Sequence, residues 1–149
     1  MAIPTAFAMQ GVSADSAKHT SAVKHIVCTG VTKPLPIFSH ATVYNGVVYV
    51  SSVEGFIPGT LDLASDKPGD QARQVFRNMK TILEQSGSSM NRVLRITIFM
   101  KKMSDLPAIN AAVNEAFPKN PPARDSLAVN DLPGDNKVVV DAIAAVGKD

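Results

Sequence analysis

The sequence predicts an α+β domain in which a mixed β-sheet of about six strands carries two helices on one face. Three observations predict it. Asn45-Gly46 separates two β-rich runs. Apolar residues recur at helical spacing between positions 70 and 86. Two later stretches, 94–100 and 138–145, alternate at strand spacing and carry apolar residues on both faces.

The elements follow in order. Val23–Cys28 is short and partly β-branched, which suits a first strand. Pro34 and Pro36 then forbid a regular ladder, so an extended loop follows. Ala41–Tyr44 and Val47–Ser51 form a hairpin, because Asn-Gly takes the positive φ angles of a type I′ turn. Gly55 to Gly69 reads as a long loop, a common place for function. Over Asp70–Ser86, Ala72, Val75, Phe76, Met79, Ile82 and Leu83 share one helical face, and Gly87 supplies the left-handed stop. Val93–Lys101 is the next strand, with Leu94, Ile96, Ile98 and Met100 on one face. Ser104 offers an N-cap for a helix through Phe117, with Pro107 in its first turn. Strands Arg124–Asn130 and Lys137–Val146 close the chain, joined by the turn-prone residues 132–136. Both helices cover one sheet face, so the apolar second face of the sheet calls for self-association.

A chain of 149 residues suits one domain, assigned to residues 23–149 after an N-terminal arm, 1–22, expected to be flexible. At 45% hydrophobic and 19% charged, the chain is neither disordered nor fibrous. A net charge of +2 lacks the basic stripe that grips phosphate backbones, so DNA is not expected and RNA is disfavoured. The single cysteine, Cys28, cannot form an internal disulfide and is expected to be an inert buried thiol. His19, His25 and His40 lack metal-ligand spacing, and no apolar run reaches the roughly 20 residues of a membrane span. The arm lacks the basic start of a secretory signal, and Asp15 with no arginine argues against a mitochondrial presequence. The expected location is cytoplasmic, with a mitochondrial one as the weaker reading.

Arg124 is the leading candidate for function. It follows the rigid Pro121-Pro122-Ala123 segment and begins a strand. A guanidinium grips a carboxylate with two parallel hydrogen bonds. The competing reading is an ion pair to Asp125, Glu54 or Asp141. Strand alternation sends Asp125 to the opposite face and leaves Ser126 beside Arg124. Glu54, in the long loop, is expected to be solvated.

Several segments, in order, resemble the RidA/YjgF family. Pro36-Ile37-Phe38-Ser39-His40-Ala41 resembles its Gly-Pro-Tyr-Ser-Gln-Ala segment. Asn45-Gly46 through Ser52 resembles its strand ending in Val-Ser-Gly. Gln71-Ala72-Arg73-Gln74 with Asn78 resembles its helix start. Asn110, Phe117-Pro118 and Pro122-Ala123-Arg124 resemble the stretch ending in Pro-Ala-Arg, and Asp141-Ala142-Ile143-Ala144 its closing Glu-Ala-Ile-Ala. The likeness runs from about Lys24 to Val146. It implies a YjgF/chorismate-mutase-like homotrimer with ligand clefts between subunits and a small carboxylate-bearing substrate. It also implies hydrolysis of 2-imino or 2-enamino acids to 2-oxo acids and ammonia, with no metal or organic cofactor.

The resemblance implies that Arg124 holds the substrate carboxylate, and Ser126, on the same strand face, is the candidate to bond a ligand or water; these two are the candidate catalytic residues. The resemblance assigns Arg124, Phe38, Asn110, Ser52, Val139 and His40 to substrate binding. The chain departs from the family at several of these positions. Phe38 stands for a tyrosine, His40 for a glutamine, and Ser52-Val53 for Gly-Gln. Val139 stands where the family has the glutamate associated with the attacking water, and an aliphatic side chain cannot deprotonate water. Asp141 keeps an acid on that strand face, roughly 6–7 Å further along. Two alternatives therefore stand beside imine hydrolysis. One is the same trimeric scaffold turned to cyclisation, isomerisation or condensation of a more apolar substrate in a specialised pathway. The other is a non-catalytic ligand-binding or RNA-related protein.

Overall fold

A computed structural model describes residues 22–147, so residues 1–21 of the expected N-terminal arm lie outside the described residues. Strands β1 (Lys24–Ile26), β2 (Ala41–Tyr44) and β3 (Val47–Val53) precede helix α1 (Pro68–Gln85). Strand β4 (Val93–Met100), helix α2 (Leu106–Ala116) and strands β5 (Ala123–Ala128) and β6 (Val138–Ala145) follow. The six strands form one sheet in the order β1-β2-β3-β6-β4-β5. Every neighbouring pair is antiparallel except β4 and β5, which are parallel because α2 carries the chain back between them. The fold class is thus the predicted one, a mixed sheet with two helices.

Local chemistry sets the elements. Asn45 and Gly46 both take positive φ, 48° and 77°, as the predicted I′ hairpin requires. Helix α1 ends in a Schellman motif. The Ser88 N–H donates to the Leu83 carbonyl at 2.9 Å and the Gly87 N–H to that of Glu84 at 3.2 Å, with Gly87 at φ 79°. The predicted apolar stripe of α1 is wholly buried, Met79 and Leu83 completely. Each such side chain contributes roughly 1.5–3 kcal/mol relative to exposure. The two helices lock through Phe76 and Phe117, edge to face at 5.7 Å between centroids.

Two expectations need correction. Leu94 is 53% exposed, not buried with Ile96, Ile98 and Met100. Val93 pairs with Ala144 and Arg95 with Ile143, so Leu94 is the extra residue of a β-bulge and Val93 takes its inward place. Ser104 does not cap α2. A 3-10 turn over Met103–Asp105 leads into the helix, which has no side-chain cap. The last two strands are not neighbours, because β4 lies between them. Residues 132–136 therefore carry the chain from the sheet edge to its centre.

Neither helix lies over the second face of the sheet. Tyr44, Tyr49 and Leu127 point that way and are 40%, 47% and 45% exposed.

Candidate active site

All the predicted site residues except Val139 fall into two groups on opposite parts of the sheet. The first is built on β5 and α2. Arg124 pairs in register with Ile96 and Ser126 with Ile98. Ile96 and Ile98 face the helices and are fully buried, so Arg124 and Ser126 share the helix-side face of the edge strand. The Arg124 guanidinium Nη1 donates to Asn110 Oδ1 on α2 at 2.7 Å. Neither Asp125 nor Asp141 nor Glu54 pairs with it. Asp125 lies on the other face and is held by Arg95. Asp141 Oδ1 accepts the backbone N–H of Thr97 at 3.1 Å, which ties β6 to β4. Arg124 is exposed and has no carboxylate in ion-pair range among the described residues. Its fork is therefore free to take an anionic ligand. Beside it, Ser126 Oγ is shut off from solvent without a hydrogen-bond partner.

The second group surrounds a cavity of about 410 Å³ between the 31–38 loop, the end of β3, α1 and the 133–136 segment. Phe38, His40 and Ser52 line it. Phe38 is 44% exposed, so within one chain it is a wall rather than core. His40 is buried and both ring nitrogens are engaged. Nδ1 accepts the Cys28 N–H at 2.8 Å and Nε2 meets the Thr32 carbonyl at 2.9 Å. These partners select the tautomer with its hydrogen on Nε2. His40 thus fastens the loop over the cavity and has no free nitrogen for a ligand. Burial pushes the Cys28 thiol up, so it stays protonated and unreactive, as expected.

Glu54 also lines this cavity, which corrects its reading as a solvated loop residue. Burial pushes its carboxyl above the ordinary value, against weaker lowering by its own backbone N–H. Its position is fixed from α1. Asn78 Nδ2 donates to the carbonyls of Glu54 and Phe56 at 3.0 and 2.9 Å, and Gln74 Nε2 donates to Asn78 Oδ1 at 2.8 Å. Gly55 allows this closeness: a Cβ there would sit 2.9 Å from the Gln71 carbonyl oxygen. A sequence signal for this clamp exists. Gln71 and Asn78 lie on the same helical stripe as Val75 and Ile82, so their amides must be buried and must find partners.

Val139 lies outside both groups. It is 5% exposed and pairs in register with Phe99. The strands of Ser52 and Arg124 are three steps apart in the sheet, roughly 14 Å at the usual strand spacing. One chain therefore does not unite the two groups. No cluster of His, Cys, Asp and Glu suited to a metal ion occurs among the described residues. No helix there is long and apolar enough to cross a membrane.

Residues 31–146 match the family model described as Endoribonuclease L-PSP. The chain is 32% identical over 124 residues to a 2-iminobutanoate/2-iminopropanoate deaminase from Dermatophagoides farinae, covering 83% of this chain and 97% of that one. It is 34% identical over 141 residues to Reactive Intermediate Deaminase A, chloroplastic, from Arabidopsis thaliana, covering 94% and 73%. The crystal structure of RidA from the Antarctic bacterium Psychrobacter sp. PAMC 21119 superposes with a TM-score of 0.78 at 28% identity, covering 83% and 99%.

Proposed function

This chain belongs to the endoribonuclease L-PSP family, the RidA/YjgF proteins, and on that premise we propose that it hydrolyses reactive 2-imino and 2-enamino acids to 2-oxo acids and ammonia. The observation that carries the reading is the free guanidinium of Arg124. It is oriented by Asn110 and spared from Asp125, which Arg95 engages on the other face. Such a fork suits the carboxylate that every imino acid carries.

The site is completed by two copies of the chain. Arg124 and Asn110 of one subunit close over the Phe38 and Ser52 cavity of the next, with Ser126 Oγ sealed beneath them. This arrangement belongs to a homotrimer that covers the second sheet face with Tyr44, Tyr49 and Leu127. The roughly 14 Å between the strands carrying the two groups in one chain supports the need for a second copy. Carboxylate anchoring supplies orientation, which accounts for much of the rate with an activated substrate.

A second reading has one specific observation behind it. Val139 is buried against β4 at the position where the family has an acid, and the cavity wall is largely apolar. These features suit a larger, apolar substrate and chemistry other than deamination.

The deciding experiment measures ammonia release from 2-aminoacrylate, generated in situ by a separate enzyme, for the wild type and Arg124→Ala. Acceleration by the wild type that is lost in the variant supports the deaminase. A folded wild-type protein that gives no acceleration excludes it and favours the second reading.

A further inference from the structure

We infer that Glu54 is the proton-transfer residue of the cavity, doing from the loop after β3 what the aliphatic side chain of Val139 cannot do. The inference deepens the deaminase reading and rests on it.

Four observations converge. Glu54 lines the same cavity as Phe38 and Ser52. It forms no ion pair among the described residues, so no cation holds it permanently charged. Its backbone is pinned by Asn78 and packed against α1 through Gly55, so the loop that carries the carboxyl is anchored to a rigid element. Lys33 and His40 are the other titratable groups on the wall, and His40 has no free nitrogen. Burial raises the carboxyl and so keeps a larger share protonated as neutral pH is approached. A carboxyl placed on an apolar wall, with its pKa moved toward the working range, is the usual setting of a general acid.

The steps balance as follows. The Glu54 carboxyl gives its proton to the imine nitrogen while a water oxygen bonds to C2. The carboxylate then takes the surplus proton of the added water, leaving a neutral carbinolamine. The same carboxyl protonates the amine, the C2–N bond breaks and ammonia leaves. The hydroxyl proton returns to Glu54 as the C2–O double bond forms. Imine and water become oxo acid and ammonia, and Glu54 ends protonated. For an enamine substrate, an earlier transfer of a proton from water to C3, with the N–H proton passing to the hydroxide left behind, gives the imine and restores the water.

The test compares wild type, Glu54→Gln, Glu54→Asp and Arg124→Ala in the 2-aminoacrylate assay across pH, with melting and oligomeric state measured for each. Glu54→Gln keeps the shape and hydrogen bonding of the side chain but cannot pass a proton. We expect its kcat to fall about 100-fold or more, as loss of a general acid does, with the pH limb due to this carboxyl absent. Glu54→Asp is expected to restore part of the rate with a displaced limb. Glu54→Gln within twofold of wild type, with an unchanged profile, overturns the inference while the Arg124→Ala loss leaves the deaminase standing. If Glu54→Gln fails to fold, the limb in Glu54→Asp decides: displaced supports, unmoved overturns. A wild type without activity overturns both readings together.

Discussion

The two halves of the candidate site are built on opposite plans. The Arg124 half rests on a strand and a helix, is open to solvent, and is tuned by charge. Asn110 orients the guanidinium, and Arg95 removes the one carboxylate next to it in sequence. The Glu54 half rests on loops and is tuned by burial. Its carboxyl meets apolar walls, and buried amides of α1 hold the loop by its backbone. The contrast teaches that this scaffold can fix an anion's partner on regular structure and leave the reacting end of the cleft to loops, where chemistry can be exchanged without disturbing the sheet.

Three substitutions sharpen or break this contrast. Gly55→Ala strikes the loop half hardest. The new Cβ meets the α1 backbone at 2.9 Å, which cannot yield as a flexible side chain would. Such overpacking costs about 1–3 kcal/mol, so chemical denaturation should show a lowered midpoint at unchanged slope. A midpoint equal to wild type would mean the loop is not seated on α1. Asn110→Ala tests the other half without touching the core. Losing one charge-assisted hydrogen bond to the guanidinium is worth about 1.5 kcal/mol, or roughly tenfold. The loss should fall mainly on KM, since Arg124 itself remains. A loss confined to kcat would show that Asn110 acts on the reacting atoms instead.

The smallest effect is thermodynamic and concerns Glu54→Gln. A carboxyl raised on folding contributes its stabilisation below the unfolded pKa and loses it as pH rises through the folded value. As pH rises through that value the wild type must place a charge on a half-buried carboxyl, which the neutral amide avoids. The variant should melt higher than wild type at pH 7, and the difference should disappear near pH 4. A variant that melts lower at neutral pH would mean the carboxylate is satisfied by partners that stabilise it.

Much of this was legible in the sequence, for identifiable reasons. Helix α1 and the Asn45-Gly46 hairpin depend on local periodicity and turn chemistry, and both formed as expected. The strand around Leu94 defeated strict alternation, because a bulge consumes one residue and no local pattern marks it. Sheet order was out of reach of periodicity, which says nothing of which strands pair. Within the site, Arg124 was visible because prolines introduce it and strand alternation turns Asp125 away. Glu54 was not, because its environment is made by α1 and residues 133–136, both distant in sequence. The amide of Asn78, lodged in an otherwise apolar stripe, was the trace it left.

One feature of the sheet bears on how the molecule is made. Strand β6, the last described strand, sits at the centre between β3 and β4. A ribosome delivers residues 24–128 before it. Until residues 138–145 emerge, β3 and β4 each present an unpaired inner edge with nothing between them. The nascent chain can form its first hairpin and its helices but cannot close the sheet. Biosynthesis thus leaves a window in which two sticky edges wait for one strand, and chaperone capture or premature pairing between neighbouring nascent chains would fall in that interval.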